Sequence, residues 1–379
     1  MTPAARYAAA IDILDEVLGG TSAEPACLAW TRGHRFAGSK DRAAIRDIVF
    51  SIERRRRSCA AMGGSLTGRG LVRGYLAQQG IEEASVFHAD RYAPELSESD
   101  PEVRAWQDLD AGEQADLQPW MWETLKAEHG ENAAAIAEAL RHRAPVWLRV
   151  NGLKAQPAAV LRTLTKAGFE PESDPDLPSA IKVEKATRQL AQHELLSKGA
   201  VELQDLGPQR ALAEMEVTAG MTVLDFCAGG GGKSLALAVR GAQVTAHDAN
   251  PQRMKDLPLR ARRAGANIEV ATDLEGRKFD LVLCDVPCTG TGAFRRVIDG
   301  KWRLTPEDVE TFVELQRSIV SKARAHLAPG GRLVYMTCSL LGSENKAQSD
   351  CIAQEMELLW TRSYTPLEGC DGFFVATFQ

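Results

Sequence analysis

The chain has 379 residues, 44% hydrophobic and 25% charged, with a net charge of −6. This is the composition of a globular protein of two or three domains, and it excludes a low-complexity or fibrous chain. No apolar run of about 18 residues occurs, which argues against a helical membrane span, and the acidic total excludes a chain that is basic throughout.

The opening segment, MTPAARYAAAIDILDEV, carries charges every few positions and does not read as a secretory leader. With eight cysteines and no such leader, reduced thiols in the cytoplasm are expected. There is no C-x-x-C pair, and Cys284 with Cys288 has no second cluster, so no metal site is expected. Residues 3–18 predict a helix, with Pro3 in its first turn, Tyr7, Ile11, Leu14 and Leu18 on one stripe, and Gly19-Gly20 ending it. A second helix is predicted over 40–57, with Ile45, Ile48, Val49 and Ile52 inward. A glycine-spotted stretch follows, then an acidic segment, 82–116, with eleven Asp or Glu and two Arg. A further helix is expected near 120–142.

From Pro145 the period changes. VWLRVNGL reads as a strand, 157–167 as a helix closed by Gly168, and AIKVE as a short strand after the turn-rich PESDPDLP. From about 200 the pattern is strand, glycine turn, helix, strand. TVLDF, QVTAHD, IEVATD, FDLVLCDV and GRLVYMTCS are apolar strands, and 251–264 reads as a basic helix. That predicts an α/β sheet with parallel strands. MELLW and GFFVATF are candidate antiparallel edge strands.

Ligands sit at the carboxyl ends of such strands. After the first, DFCAGGGGKS (225–234) resembles a phosphate loop but has Cys227 where a Walker loop needs its first glycine. Four successive strands run into Asp225, Asp248, Asp273 and Asp285 on one edge. One such Asp is most simply a cap. Four beside a glycine turn would repel a triphosphate without a metal. They suit a ligand with a ribose diol, an adenine and a positive charge, and S-adenosylmethionine has these features. Cys288 and Cys338 come just past the fourth and fifth strands, where a buried apolar role is less natural than for Cys284, Cys27, Cys59, Cys351 or Cys370. From the residues alone either thiol of the pair can be the nucleophile.

DFCAGGGGKS, AHD, ATD, DVPCTGTG and MTCS, in this order and spacing, resemble the Sun-type (RsmB/Nop/Sun) RNA cytosine-5 methyltransferase family, and RVN (149–151), LQD (203–205) and DGFFVA (371–376) agree. The resemblance is close over 145–379. Over 1–140 it is looser: AGSKDRAAIRDIVF is similar to the helical NusB-like domain of the ribosomal-RNA branch. The resemblance implies a helical RNA-binding domain at 1–140 and a small α+β (RRM-like) subdomain at 145–200. For 201–379 it implies a class I methyltransferase domain, a Rossmann-like α/β fold with a mostly parallel seven-stranded sheet.

The implied activity is S-adenosylmethionine-dependent methylation of cytosine C5 in 16S ribosomal RNA, by a cytoplasmic monomer. The chemistry needs a thiolate to add at C6, so that C5 becomes nucleophilic. By the resemblance Cys338 is that nucleophile, Cys288 assists release, and Asp285 holds the cytosine N3/N4 edge. The cofactor would be held by Cys227, Ala228, Gly229, Gly230, Gly231, Gly232, Lys233, Asp248, Asp273 and Asp285. The family usually has Ala-Pro where this chain has Gly229-Gly230, which loosens the turn. Arg295, Arg296, Lys301 and Arg303 follow DVPCTGTG and are expected to grip RNA phosphates, with Trp302 either stacking on a base or packed in the core. A P-loop NTPase fails at Cys227. An amino-group methyltransferase lacks its Asn/Asp-Pro-Pro-aromatic signature here. A transfer-RNA methyltransferase and a non-catalytic RNA-binding protein stand as the alternatives.

Overall fold

The computed structural model describes residues 1–184 and 188–379. The chain divides into two compact units: Met1–Arg143 with Phe294–Arg303, and Ala144–Ala293 with Leu304–Gln379. Among the described residues no helix is long and apolar enough to cross a membrane.

The first unit is helical. Pro3–Leu18 forms as predicted, with the Thr2 hydroxyl accepting from the Ala5 N–H as its N-cap. Its Ile13 and Leu14 pack with Ile45, Val49 and Ile52 of Ser39–Glu53 and with Leu71 and Leu76 of Gly68–Gln78. The single helix predicted over 40–57 breaks at Arg54-Arg55, and a separate helix runs Arg56–Gly63. The glycine-spotted stretch is helical because the glycines let two helices touch backbone to backbone. A Cβ on Gly63 would lie 1.8 Å from the Gly70 carbonyl oxygen, and one on Gly74 would lie 1.9 Å from that of Cys59. The acidic segment is partly neutralised by Arg69–Asp100 and Arg73–Glu83 pairs.

The second unit holds two sheets. Strands β1 (Val146–Val150), β2 (Pro171–Ser173), β3 (Ala180–Val183) and β4 (Val201–Leu203) form a sheet in the order β2-β3-β1-β4, with antiparallel pairing throughout. β4 therefore extends the small sheet beyond the predicted boundary at 200. β2 lies inside PESDPDLP, which reads as a turn because three residues carry no period. The large sheet comprises β5 (Thr222–Asp225), β6 (Gln243–Ala246), β7 (Ile268–Val270), β8 (Phe279–Asp285), β9 (Leu327–Thr337), β10 (Leu358–Tyr364) and β11 (Phe373–Phe378), in the order β10-β11-β9-β8-β5-β6-β7. β9-β8-β5-β6-β7 are parallel, and β10 and β11 are the antiparallel edge predicted from the tail. The chain leaves β5 toward β6 and β7, then returns to β8 on the other side. The crevice at the carboxyl ends of β5 and β8 is thus the topological switch point. The basic segment 251–264 begins as a short turn, Pro251–Met254; its α-helix is Leu257–Ala264, with Pro258 in the first turn.

Candidate active site

Asp225 ends β5 and is 1% exposed. Its Oδ2 accepts from the Ser234 hydroxyl at 2.6 Å, while its Oδ1 is buried without a hydrogen-bond partner. Burial pushes its carboxyl up to about 6, against the Ser234 hydrogen bond and with help from Asp285. The following turn closes by Gly231 N–H donating to the Ala228 carbonyl at 2.8 Å, with Gly229 at φ 50° and Gly231 at φ 75°. Only glycine adopts that pair without strain. Asp248, two residues past β6 and 3% exposed, accepts from Gly229 N–H at 2.9 Å and from Asn250 N–H at 2.9 Å. Arg253 pairs with it at 3.2 Å. Burial, reinforced by Asp225, Asp285 and Asp248, pushes the Cys227 thiol up to about 12, so it stays protonated.

Lys233, in the first turn of the helix after the glycines, places its ammonium 2.5 Å from Asp285 Oδ2 at the end of β8. Burial opposes its charge, but Asp285, Asp225 and Cys338 outweigh burial and raise its pKa. The neighbouring register of β8 and β9 pairs Asp285 with Met336. The chain segments that follow carry Cys288 and Cys338 with their sulfurs 3.3 Å apart. Either sulfur can donate in this contact; the hydrogen bond with Cys288, helped by the Lys233 charge, lowers the Cys338 thiol below its ordinary range against burial, Asp285 and Glu344. Cys288 is raised, first by that same hydrogen bond and then by burial.

The thiol segments are tied by residues that the sequence reading did not single out. Glu344, fully buried, accepts from the Thr289 N–H at 2.9 Å, from the hydroxyls of Thr289 and Ser339, and from Gln316 Nε2 at 2.9 Å. Gln316 also donates to the Pro287 carbonyl at 3.0 Å. Asn345 Nδ2 donates to the Ser339 carbonyl at 2.9 Å. A buried Glu beside Asn six residues past a thiol was the available signal, but SEN inside a loop reads as solvated.

Asp273 does not join this cluster of buried aspartates. It lies three residues past β7, exposed, and its Oδ1 accepts from the Glu275 N–H at 2.9 Å. The basic group after DVPCTGTG belongs to the helical unit, and two of its members are not surface cations. Lys301 is fully buried; its ammonium donates to the Arg54 carbonyl at 2.8 Å, and burial pushes its pKa down to about 8 despite Asp116. Arg295 is 5% exposed. Arg296 and Arg303 are exposed, and Arg303 reaches the Gly20 carbonyl at 2.5 Å. Trp302 packs inward, its Nε1–H donating to the Glu53 carbonyl at 2.8 Å under the Arg56 guanidinium. Among the described residues, no three His, Cys, Asp or Glu converge to hold a metal ion.

A mostly parallel seven-stranded sheet, with a glycine turn and an acidic rim at its switch point, is the fold of the class I methyltransferases. The crystal structure of PH0851 shares the fold, with a TM-score of 0.77 at 19% identity over 100% of this chain and 99% of that one. Within the class, the model of the 16S rRNA methyltransferase RsmB/F family matches residues 213–363, and that of the RsmF/B-like ferredoxin-like domain matches 118–189. Ribosomal RNA small subunit methyltransferase B of Erwinia tasmaniensis is 31% identical over 71% of this chain and 68% of that protein. Its counterpart in Klebsiella pneumoniae is 34% identical over 60% of this chain and 55% of that protein. The chain belongs to the RsmB/F methyltransferase family. It spans 55% to 65% of the length of the first curated relatives it matches.

Proposed function

We propose that the chain methylates C5 of a cytosine in 16S ribosomal RNA, with S-adenosylmethionine as donor and Cys338 as nucleophile. The observation that carries this reading is the Cys338–Cys288 pair, 3.3 Å between sulfurs, with Asp285 at the end of β8 and its partner Lys233 on the helix after the glycine turn. An amino-group methyltransferase has no use for two facing thiols at this place.

The residues present fit the donor. Asp248 is a buried carboxylate past β6, the position that meets a ribose diol. The direction of a Cβ on Gly232 is open, with no atom within 4 Å. The cation of the turn, Lys233, is neutralised by Asp285, so a triphosphate finds no net positive charge there. S-adenosylmethionine, when bound, supplies an electrophilic methyl group. Gly229–Gly232, Lys233, Asp248 and Asp285 would hold it; the exposed Asp273 is the weakest member of the predicted set.

Cys338 Sγ adds to C6 as a thiolate, the C5=C6 electron pair moves through C4 toward N3, N3 takes up a proton from solvent, and the Asp285 carboxylate accepts a hydrogen bond from that N3–H. C5 is then the nucleophile. After transfer the C5 and N3 protons pass to solvent, C5=C6 re-forms from the C5–H electron pair, and Cys338 departs with the electrons of the C–S bond. The Cys288 S–H is placed to stabilise that departing thiolate. A base inside a helix must first swing out, at about a few kcal/mol; exposed Arg296 and Arg303 remain as phosphate contacts. The same reading carries a monomeric protein acting in the cytoplasm on ribosomal RNA. Incubation with tritiated S-adenosylmethionine and 16S RNA or transfer RNA, followed by nucleoside chromatography, tests the reading. The expected label is in 5-methylcytidine from 16S RNA. Label in N4-methylcytidine, or in transfer RNA alone, would overturn it.

A further inference from the structure

The glycine turn of this chain, Gly229–Gly232, is held from outside. A Cβ on Gly231 would sit 2.2 Å from Leu257 Cδ1, so the Leu257–Ala264 helix packs directly on the turn. From the same helix Arg260 donates to the Gly230 carbonyl. Its other nitrogen pairs at 2.8 Å with Glu202 of β4, and Arg263, also on that helix, pairs with Glu202 at 2.9 Å. Glu202 is 4% exposed. From the small sheet itself, Arg149 on β1 reaches the Gly232 carbonyl at 3.5 Å. Two successive polar tethers thus run from the small sheet to the carbonyls of the turn.

We propose that Arg260, anchored by Glu202, is a positioning residue that presets the cofactor turn. A chain of four glycines has more conformations to lose than any other sequence, and a ligand that must order its own site binds more weakly. A guanidinium fixed at one end by a buried carboxylate and at the other on the Gly230 carbonyl removes that freedom beforehand. The small sheet then acts on the cofactor without touching it.

The inference rests on reading the turn as the S-adenosylmethionine site, and the test separates the two. S-adenosylhomocysteine, which binds without turnover, is titrated calorimetrically into wild type, R260A, E202Q and the double variant R260A/G230P. Failure of wild type to bind refutes the reading of the site itself. With binding established, R260A is expected to weaken it about three- to tenfold, E202Q to weaken it less, and amide exchange in 228–232 to quicken in both. E202Q preserves the side-chain shape, so it reports even where R260A folds poorly. The double variant is expected to regain affinity. Gly230 lacks the positive φ of its neighbours, and among the described residues its N–H serves no backbone hydrogen bond. Among the described residues, its chain neighbours aside, the atom within 4 Å of its Cβ position is Arg260 Nη1 at 3.1 Å, which R260A removes. Wild-type affinity and unchanged exchange in R260A and E202Q would overturn the proposal. A loss that G230P leaves uncorrected would also do so, since it would mark a structural defect rather than a loosened turn.

Discussion

Replacing Glu344 by Ala removes the acceptor for four donors at once: the Thr289 N–H, the Thr289 and Ser339 hydroxyls, and Gln316 Nε2. The hydroxyls have recourse, because the Ser339 oxygen already lies 3.0 Å from Thr291 Oγ1 and can turn to it. Gln316 keeps the Pro287 carbonyl. The Thr289 amide keeps nothing, and a buried orphan donor costs about 1–3 kcal/mol. Adding the weakened bonds and the void, E344A should cost about 3–5 kcal/mol. E344Q retains an oxygen for the Thr289 amide and Gln316, and the hydroxyls can rotate to accept from its new NH2, so its cost should be about 1–2 kcal/mol. Urea unfolding supplies the energies. Hydrogen exchange over 286–292 and 337–346 shows whether the loss is local to the thiol segments. An E344A protein within about 0.5 kcal/mol of wild type, with unchanged exchange there, would refute the idea that this carboxylate ties the two segments together.

Two further outcomes follow from buried charges. Burial raises the Asp225 carboxyl from its ordinary 3.8 to about 6, so its protonated form is favoured in the fold. Its contribution to stability is full below pH 3.8 and is lost as pH rises through 6. The ionised carboxylate then costs about 3 kcal/mol at pH 7 and about 1 at pH 4.5. D225N should therefore gain about 2 kcal/mol on wild type between pH 4.5 and 7; paired denaturant curves showing no such pH-dependent gap would count against it. K301M should lose about 2–4 kcal/mol of stability by stripping the Arg54 carbonyl and nearby Asp116 of their buried cation. The slope of log affinity for RNA against log salt should stay unchanged, because a buried ammonium neutralises no phosphate. A slope lower by about one would put Lys301 on the RNA.

The strands that frame the candidate site were legible because parallel strands are buried on both sides and read as continuous apolar runs. TVLD and FDLVLCD end in aspartates whose only nearby function is at the sheet edge, and the juxtaposition of Cys288 and Cys338 follows once β8 and β9 are neighbours. What stayed hidden depends on distant partners. Lys301 reads as a surface cation until the Arg54 carbonyl, 247 residues earlier, covers it. Three-residue strands such as β2 and β4 are shorter than any period that could announce them. The Arg56–Gly63 and Gly68–Gln78 helices hide because glycine weakens helical propensity, while the backbone contact it permits compensates only in three dimensions. Glu202 and Arg260, 58 apart, show no pairing signal at all.

The central claim is that Cys338 attacks and Cys288 releases. It is tested most directly by incubating C288A and C338A with 16S RNA and S-adenosylmethionine, then locating any covalent nucleotide by denaturing electrophoresis and tandem mass spectrometry. C288A should accumulate an RNA adduct carried on Cys338, and C338A should form none. An adduct that builds up in C338A, attached to Cys288, would contradict the account.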